Sequence, residues 1–441
     1  MKTLYFLGIG GIGMSAIARY ALHIGYRVYG YDRTRTALCE RLESEGCVVT
    51  YTDDARGIDA MNVDLCVFTP AIPATNSIYR YFVNSGIRMV KRAEILGELT
   101  RDRRGLAVAG THGKTTTSTM IAHLLRSSHV DTSAFLGGIS INYDTNLLLA
   151  DSPENENVVV EADEFDRSFH HLRPYMAVVT ATDADHLDIY GTHEAYIEAF
   201  AHFTALIQKG GALLYKKGIR IDIRTDERIY TYSPDETSAD FHAENIRVGN
   251  GELLFDYVSP DIVLRDLSLG VPVRVNVENA VAAMAIAELN GVSADELREG
   301  IASFRGVRRR FEVKRRDGGL VHIDDYAHHP DELRRSIESV SEVYADRRIV
   351  VVFQPHLYSR TRDFYSEFAA ALSVARQVVV LDIYPARELP IPGITSQIIF
   401  DNVTSPVRRL CTKENLKSTL ATLDYDVILT VGAGDIGEIQ F

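Results

Sequence analysis

The stretch AGTHGKTTT, Ala109–Thr117, follows the apolar run LAVAG and precedes STMIAHLLRSS, whose apolar residues recur at helical spacing. Strand, glycine-containing loop and helix in that order make a phosphate cradle. Backbone N–H groups turn inward at the helix N-terminus, where the dipole favours an anion. Lys114 is placed to reach β- and γ-phosphates, and the Thr115 hydroxyl to meet Mg²⁺; Gly110, Thr111, His112, Gly113 and Thr116 complete the loop. The spacing departs from G-x-x-x-x-G-K-[ST]: Val108 stands five residues before Gly113 and the nearest glycine is Gly110, so the loop is short. A turn carrying a chance lysine would leave the strand, the Gly-Lys-Thr run and the helix as a coincidence.

Two downstream segments supply what such a cradle needs. VVVEADEFD puts Glu161 and Asp163 at the end of an apolar strand, where a carboxylate can hold Mg²⁺. TDADHLD puts His186 between Asp185 and Asp188, again after a strand. Three polar strand ends from neighbouring βα units would converge on one metal–phosphate site, which singles out Glu161 and His186; the other carboxylates read as outer-layer or solvated.

A second cradle lies upstream. FLGIGGIGMS, starting at Phe6, spaces Gly8, Gly10 and Gly13 as G-x-G-x-x-G, with Gly11 and Ile12 between them. The strand YRVYGYD ends at Asp32, about twenty residues on, and VDLCVFTPAI ends its strand at Thr69-Pro70. Alone this fingerprint suggests a nicotinamide-dependent oxidoreductase. That reading leaves GTHGKTTT unexplained, whereas a nucleotide-gated switch accounts for it.

Strand-like runs alternate with helix-length stretches through most of the 441 residues, the pattern of parallel α/β sheets. The first unit reads as strand, a helix over Met14–Ile24, then further strands, and it ends at the charged break LTRDRRG. Between about Lys216 and Pro272 short strands separated by turn residues read as an antiparallel addition. After RGVRRRFE a third unit begins, with strands LVHIDDY, RIVVVFQPH, QVVVLDIYP and DVILTVGAG. The expected division is 1–103, 104–305 and 306–441, each long enough for its own core.

With 47 basic and 60 acidic side chains, net charge −13, the chain is unsuited to gripping a phosphate backbone, and no nucleic-acid partner is expected. Four cysteines without a C-x-x-C pair suggest reduced thiols in the cytoplasm. The apolar start imitates a signal peptide, but its glycines belong to the fold. No run of ~18 apolar residues occurs, so no membrane insertion is expected.

Taken together, GIGGIGMS, GTHGKTTT, EADEFDRSF, DADHLDIY, NVENA, RRRFE, DDYAHHP, FQPHLYSRTRDF, IYPARELPIPG and GAGDIG, in order over almost the whole chain, resemble the ATP-dependent Mur ligases of peptidoglycan precursor synthesis. The resemblance implies three domains: an N-terminal Rossmann-like domain for a UDP-sugar, a central P-loop ATPase domain, and a C-terminal Rossmann-like domain for an amino acid. Within the family it points to the branch that joins L-alanine to the lactyl carboxylate of UDP-N-acetylmuramate through an acyl phosphate, with ATP cleaved to ADP and phosphate. The nearest alternative is a recycling ligase that attaches a peptide to the same UDP-sugar. The resemblance also implies a monomer or weak homodimer.

Carried over by motif, Gly8, Gly10, Gly11, Ile12, Gly13, Asp32 and Thr69 would serve the UDP-sugar. Lys114 would bind ATP phosphates, and Thr115, Glu161 and His186 the Mg²⁺. Asn276 and Asn279 would lie at the adenine, Arg310 at the γ-phosphate and Asp325 on the ribose side. Tyr326, His328, His356 and Arg360 would line the amino-acid end, with His328 as the base for the amine. Three departures are visible. No Lys occurs between Lys114 and Lys209, and Phe200 falls near the slot of the carbamylated lysine of many relatives, which excludes a carbamate ligand. Leu357 and Val275 stand where Arg and His occur in other members.

Overall fold

The computed structural model describes residues 2–101, 103–152, 157–184, 187–386 and 388–441. It contains three sheets and divides into two compact units. The first comprises residues 1–244, 257–264 and 279–300; the second comprises 245–256, 265–278 and 301–441.

The first sheet holds β1 (Thr3–Leu7), β2 (Arg27–Tyr31), β3 (Val48–Thr50), β4 (Leu65–Phe68) and β5 (Arg88–Lys91) in the order β3-β2-β1-β4-β5, all parallel. The order reverses between β1 and β4. Such a switch point opens a crevice at the carboxyl ends of the strands, and the glycine loop after β1 sits there. Its helix spans Ile12–His23, two residues earlier than the apolar spacing predicts, because Gly11 already caps it in extended conformation.

The second sheet is built from β6 (Arg104–Ala109), β7 (Thr132–Ser140), β8 (Thr145–Leu148), β9 (Asn157–Glu161), β10 (Met176–Val179), β11 (Ala212–Lys216), β12 (Arg228–Ser233), β13 (Phe241–Gly249), β14 (Glu252–Val258) and β15 (Val263–Ser268). Their order is β15-β14-β13-β12-β11-β10-β6-β9-β7-β8. The strand that feeds the phosphate loop, β6, lies between β9 and β10 and parallel to both. In the region expected to be an antiparallel addition, β12 instead runs parallel to β11 and to the start of β13, so the parallel sheet extends further than the turn-rich text suggests.

The third sheet holds β16 (Glu312–Asp317), β17 (Leu320–Asp325), β18 (Ile349–Phe353), β19 (Gln377–Leu381), β20 (Val407–Cys411) and β21 (Val427–Val431), ordered β16-β17-β21-β18-β19-β20. Only β16 is antiparallel to its neighbour. Every residue of β21 is buried. Each large aliphatic side chain buried this way contributes roughly 1.5–3 kcal/mol, which is why the central strands read as unbroken apolar runs.

All four cysteines are unpaired, three of them buried. Among the described residues no helix is long and apolar enough to cross a membrane.

Candidate active site

The phosphate loop is held by both strands that flank β6. Register sets Val108 opposite Glu161 of β9 and Ala109 opposite Val179 of β10, so the polar ends of both neighbours meet the loop. Thr111 N donates to Ala181 O at 3.1 Å, Thr111 Oγ1 to Asp183 O at 2.9 Å, and Thr180 Oγ1 to Ala109 O at 3.2 Å and to His112 O. Gly110 has φ +133, and a Cβ there would stand 2.2 Å from Thr180 Oγ1 and 2.7 Å from Ala181 N. Gly113, φ +82, caps the helix Lys114–Arg126. Asn279 abuts the loop: its Oδ1 accepts from Thr117 Oγ1 at 3.0 Å and lies 2.9 Å from where a Gly113 Cβ would be. Asn276 is buried and donates to Val271 O at 3.4 Å, while Val275 is exposed.

Lys114 Nζ donates to Gly110 O at 2.7 Å and to Glu164 Oε1 at 2.8 Å. Burial pushes the Glu164 carboxyl up, and the Lys114 ammonium pulls it back. Among the described residues no three His, Cys, Asp or Glu side chains stand close enough to cage a metal ion. Yet Glu161 Oε2 is buried without a hydrogen-bond partner, and Thr115 lies in the first helical turn. A hard carboxylate oxygen and a hydroxyl fit Mg²⁺, which takes few protein ligands beside phosphate and water. His186, the third expected ligand, falls outside the described residues.

The glycine loop is folded against its own strand ends. Gly8, φ +85, leaves room for Thr69 Cγ2, which a Cβ would approach to 2.7 Å. Gly10 N donates to Asp32 Oδ2 at 2.9 Å and Thr34 N to Asp32 Oδ1 at 3.1 Å. The Asp32 carboxylate therefore shapes the loop. Gly11 and Ile12 are exposed, and Gly13 makes way for Arg92, whose Nη1 a Cβ would meet at 2.2 Å. A cavity of about 230 Å³ opens here, and its lining joins Ile12, Gly13 and Arg92 to Glu161 and Asp163. The glycine loop thus borders one space with the strand end that carries Glu161, the neighbour of the phosphate-loop strand. Nothing in the sequence pattern marked Arg92, although it opens a helix directly after β5 at the same sheet end.

In the second unit, β17 delivers Asp325, whose carboxylate accepts from Ala327 N at 3.0 Å and Ser336 Oγ at 3.1 Å. Burial pushes its pKa up to about 6 against the pull of those bonds and of Arg310. The half-exposed Tyr326 ring lies edge-on to His328, centroids 5.4 Å apart. His328 Nδ1 is 3.1 Å from Tyr326 O; a carbonyl only accepts, so Nδ1 is the donor in this bond. His356 stacks on Tyr384 at 5.8 Å. Its Nδ1 and Arg360 Nη1 are both buried without a hydrogen-bond partner. Burial, then the Arg360 charge, lower the His356 pKa. Two unsatisfied nitrogens at one strand end suit a small carboxylate. Leu357 opens the helix Tyr358–Leu372 with φ 71, and its N–H donates to Tyr384 O at 3.0 Å.

The run Arg308-Arg309-Arg310 is sorted by this unit. Arg309 donates to Gly432 O and pairs with the fully buried Asp324 at 3.3 Å, whereas Arg310 is exposed. Arg309→Ala is therefore expected to cost about 3–5 kcal/mol, because it strands a buried carboxylate. Arg310→Ala should leave stability within about 0.5 kcal/mol; denaturant melts of the two variants check the contrast.

Family matches cover nearly all of this architecture: the Mur ligase middle domain matches residues 108–287, the Mur ligase glutamate ligase domain 309–434, and the Mur ligase family catalytic domain 3–104. A UDP-N-acetylmuramate–L-alanine ligase of Parabacteroides distasonis is 54% identical over 445 residues, 100% of this chain and 96% of its own. One of Phocaeicola vulgatus is 53% identical over 443 residues, 99% and 96% of the two chains. The crystal structure of a UDP-N-acetylmuramate–alanine ligase from Thermotoga maritima superposes with a TM-score of 0.81 at 28% identity, covering 99% of this chain and 96% of that one. A murein peptide ligase from Psychrobacter arcticus, TM-score 0.66 at 23% identity over 99% and 97% of the chains, shares the fold. On matches that run from residue 3 to residue 434, and on relatives more than half identical over the whole length, the chain belongs to the Mur ligase family.

Proposed function

We propose that this protein is an ATP-dependent ligase that joins L-alanine to the lactyl carboxylate of UDP-N-acetylmuramate, giving ADP and phosphate. The observation that carries the reading is the cavity whose lining joins Gly13 of the sugar-side loop to Glu161 beside the phosphate loop. It would bring a substrate carboxylate and a triphosphate to one place. The names of the relatives, at more than half identity, support alanine and this UDP-sugar as the pair.

A carboxylate is a poor electrophile, so the γ-phosphoryl group is transferred to it first, and the amine then attacks the acyl phosphate. Lys114 draws charge from the phosphates, and Arg310 offers an exposed guanidinium to the γ-phosphate. Thr115, Glu161 and His186 would hold Mg²⁺, which when bound would neutralise charge that keeps the two anions apart. Asn279 and Asn276 border the adenine, and Asp325 the ribose. Arg360 takes the alanine carboxylate beside Tyr326 and His356. His328, in its neutral form, accepts at Nε2 the proton that alanine's ammonium must lose. The division of labour follows 1–103 for the UDP-sugar, 104–305 for ATP and 306–441 for alanine. Unpaired thiols and water-soluble substrates support action in the cytoplasm, as a monomer or weak homodimer. A nicotinamide reading is disfavoured because both Asp32 oxygens are already engaged, one by Gly10 N of the glycine loop and the other by Thr34 N.

The test is ADP release with UDP-N-acetylmuramate and each amino acid in turn. Release that needs both the UDP-sugar and alanine supports the proposal; release with a tripeptide in preference to alanine moves the chain to the recycling reaction. Arg360→Ala is expected to raise the KM for alanine about 10–100-fold, the worth of a charge-assisted hydrogen bond, with kcat little changed. An unchanged KM removes Arg360 from the alanine site.

A further inference from the structure

The carboxylate that faces Lys114 has no part in the roles set out above. Glu164 is 1% exposed and stands beside a loop built for polyphosphate, where another negative charge raises the cost of binding. Its geometry supplies a reason. A lysine ammonium has three N–H donors on a flexible four-carbon stem, and fixing that stem costs up to ~2 kcal/mol of rotamer entropy. Here two donors are taken by protein: Gly110 O at 2.7 Å and Glu164 Oε1 at 2.8 Å. The remaining N–H is left for a phosphate oxygen.

Glu164 is itself rigidly placed. Its carbonyl accepts from Tyr190 Oη and from Arg167 N at 3.0 Å, and Phe169 N donates to Asp163 O at 2.9 Å. On either side the segment is tied to the helix start after β5: Arg92 to Asp163 at 3.5 Å and Lys91 to Asp166 at 2.7 Å. A frame of this kind can hold a long side chain in one rotamer.

We infer that Glu164 is a positioning residue for phosphoryl transfer, fixing the Lys114 ammonium against Gly110 O so that it meets the nucleotide phosphates without reorganising. The inference rests on the proposed ligase reading. Preorganised charge contributes where charge develops, in the transition state, so its loss appears in kcat.

The experiment compares wild type with Glu164→Ala and Glu164→Gln in the ADP-release assay, each also in a Lys114→Met background with radiolabelled ATP, and checks each fold by thermal melting. Glu164→Ala is expected to lower kcat at least tenfold with the KM values for UDP-N-acetylmuramate and alanine unchanged. Glu164→Gln, whose amide oxygen still accepts from Nζ, should recover most of that loss. In the Lys114→Met background Glu164→Ala should cost nothing further. A Glu164→Ala enzyme with kcat within twofold of wild type overturns the inference, as does an equal loss with and without Lys114. A wild-type enzyme that releases no ADP overturns the ligase reading instead.

Discussion

Lys114→Ala is expected to lower the rate of ADP release by about 10²–10³-fold, the cost of removing one preorganised charge from a phosphoryl-transfer site. The sequence alone suggests that this change leaves the fold untouched. The structure adds a second effect, because Lys114 is the counter-ion of a carboxylate that is 1% exposed. Stranding a buried charge costs about 3–5 kcal/mol, so the variant should also melt at lower temperature. Lys114→Ala combined with Glu164→Gln is expected to recover the melting temperature and not the turnover. Thermal melts and ADP release on the single and double variants separate the two contributions; a single variant with wild-type kinetics removes Lys114 from the ATP site.

Gly110→Ala is expected to abolish nucleotide binding. Its φ of +133 lies where a side chain is strained, at roughly 1–3 kcal/mol. The added Cβ meets Ala181 N at 2.7 Å and Thr180 N at 2.9 Å, backbone atoms that cannot swing aside. Overpacking of this kind adds about 1–3 kcal/mol. Relief requires the loop to lift off the end of β10, which breaks the bond from Thr111 N to Ala181 O and turns the loop N–H groups away from a phosphate. Titration with a fluorescent ATP analogue, for which this tryptophan-free chain gives little background, measures the loss. Retained affinity would mean that phosphate does not bind where the loop N–H groups point.

The strands that the sequence shows clearly are those buried on both faces. In the third sheet β17, β18, β19 and β21 read as apolar runs, whereas β16 and β20, its two edges, were not visible. Their text, EVKRRD and VRRLC, is charged because an edge faces water and must resist pairing with other chains. Within the expected antiparallel addition β12 runs parallel for a related reason. Turn residues around it signal a hairpin, but parallel pairing with β11 is set by a neighbour in space.

In the site, short-range chemistry was legible and pairing was not. Glycine spacing and a strand followed by a helix are written within a dozen residues, so both cradles, and the strand ends carrying Glu161 and Asp325, follow from the order of residues. That Glu164 is the partner of Lys114 depends on residues 50 apart. That Arg309 rather than Arg310 secures the sheet depends on Gly432, 123 residues away. Three successive arginines are equivalent in the text and become distinct only when one guanidinium reaches a buried carboxylate. Periodicity and turn chemistry are local properties of a chain and determine its elements and their type. Which charges are buried, which are matched and which nitrogens are left without a partner depend on where the fold excludes water, and only the tertiary structure decides that.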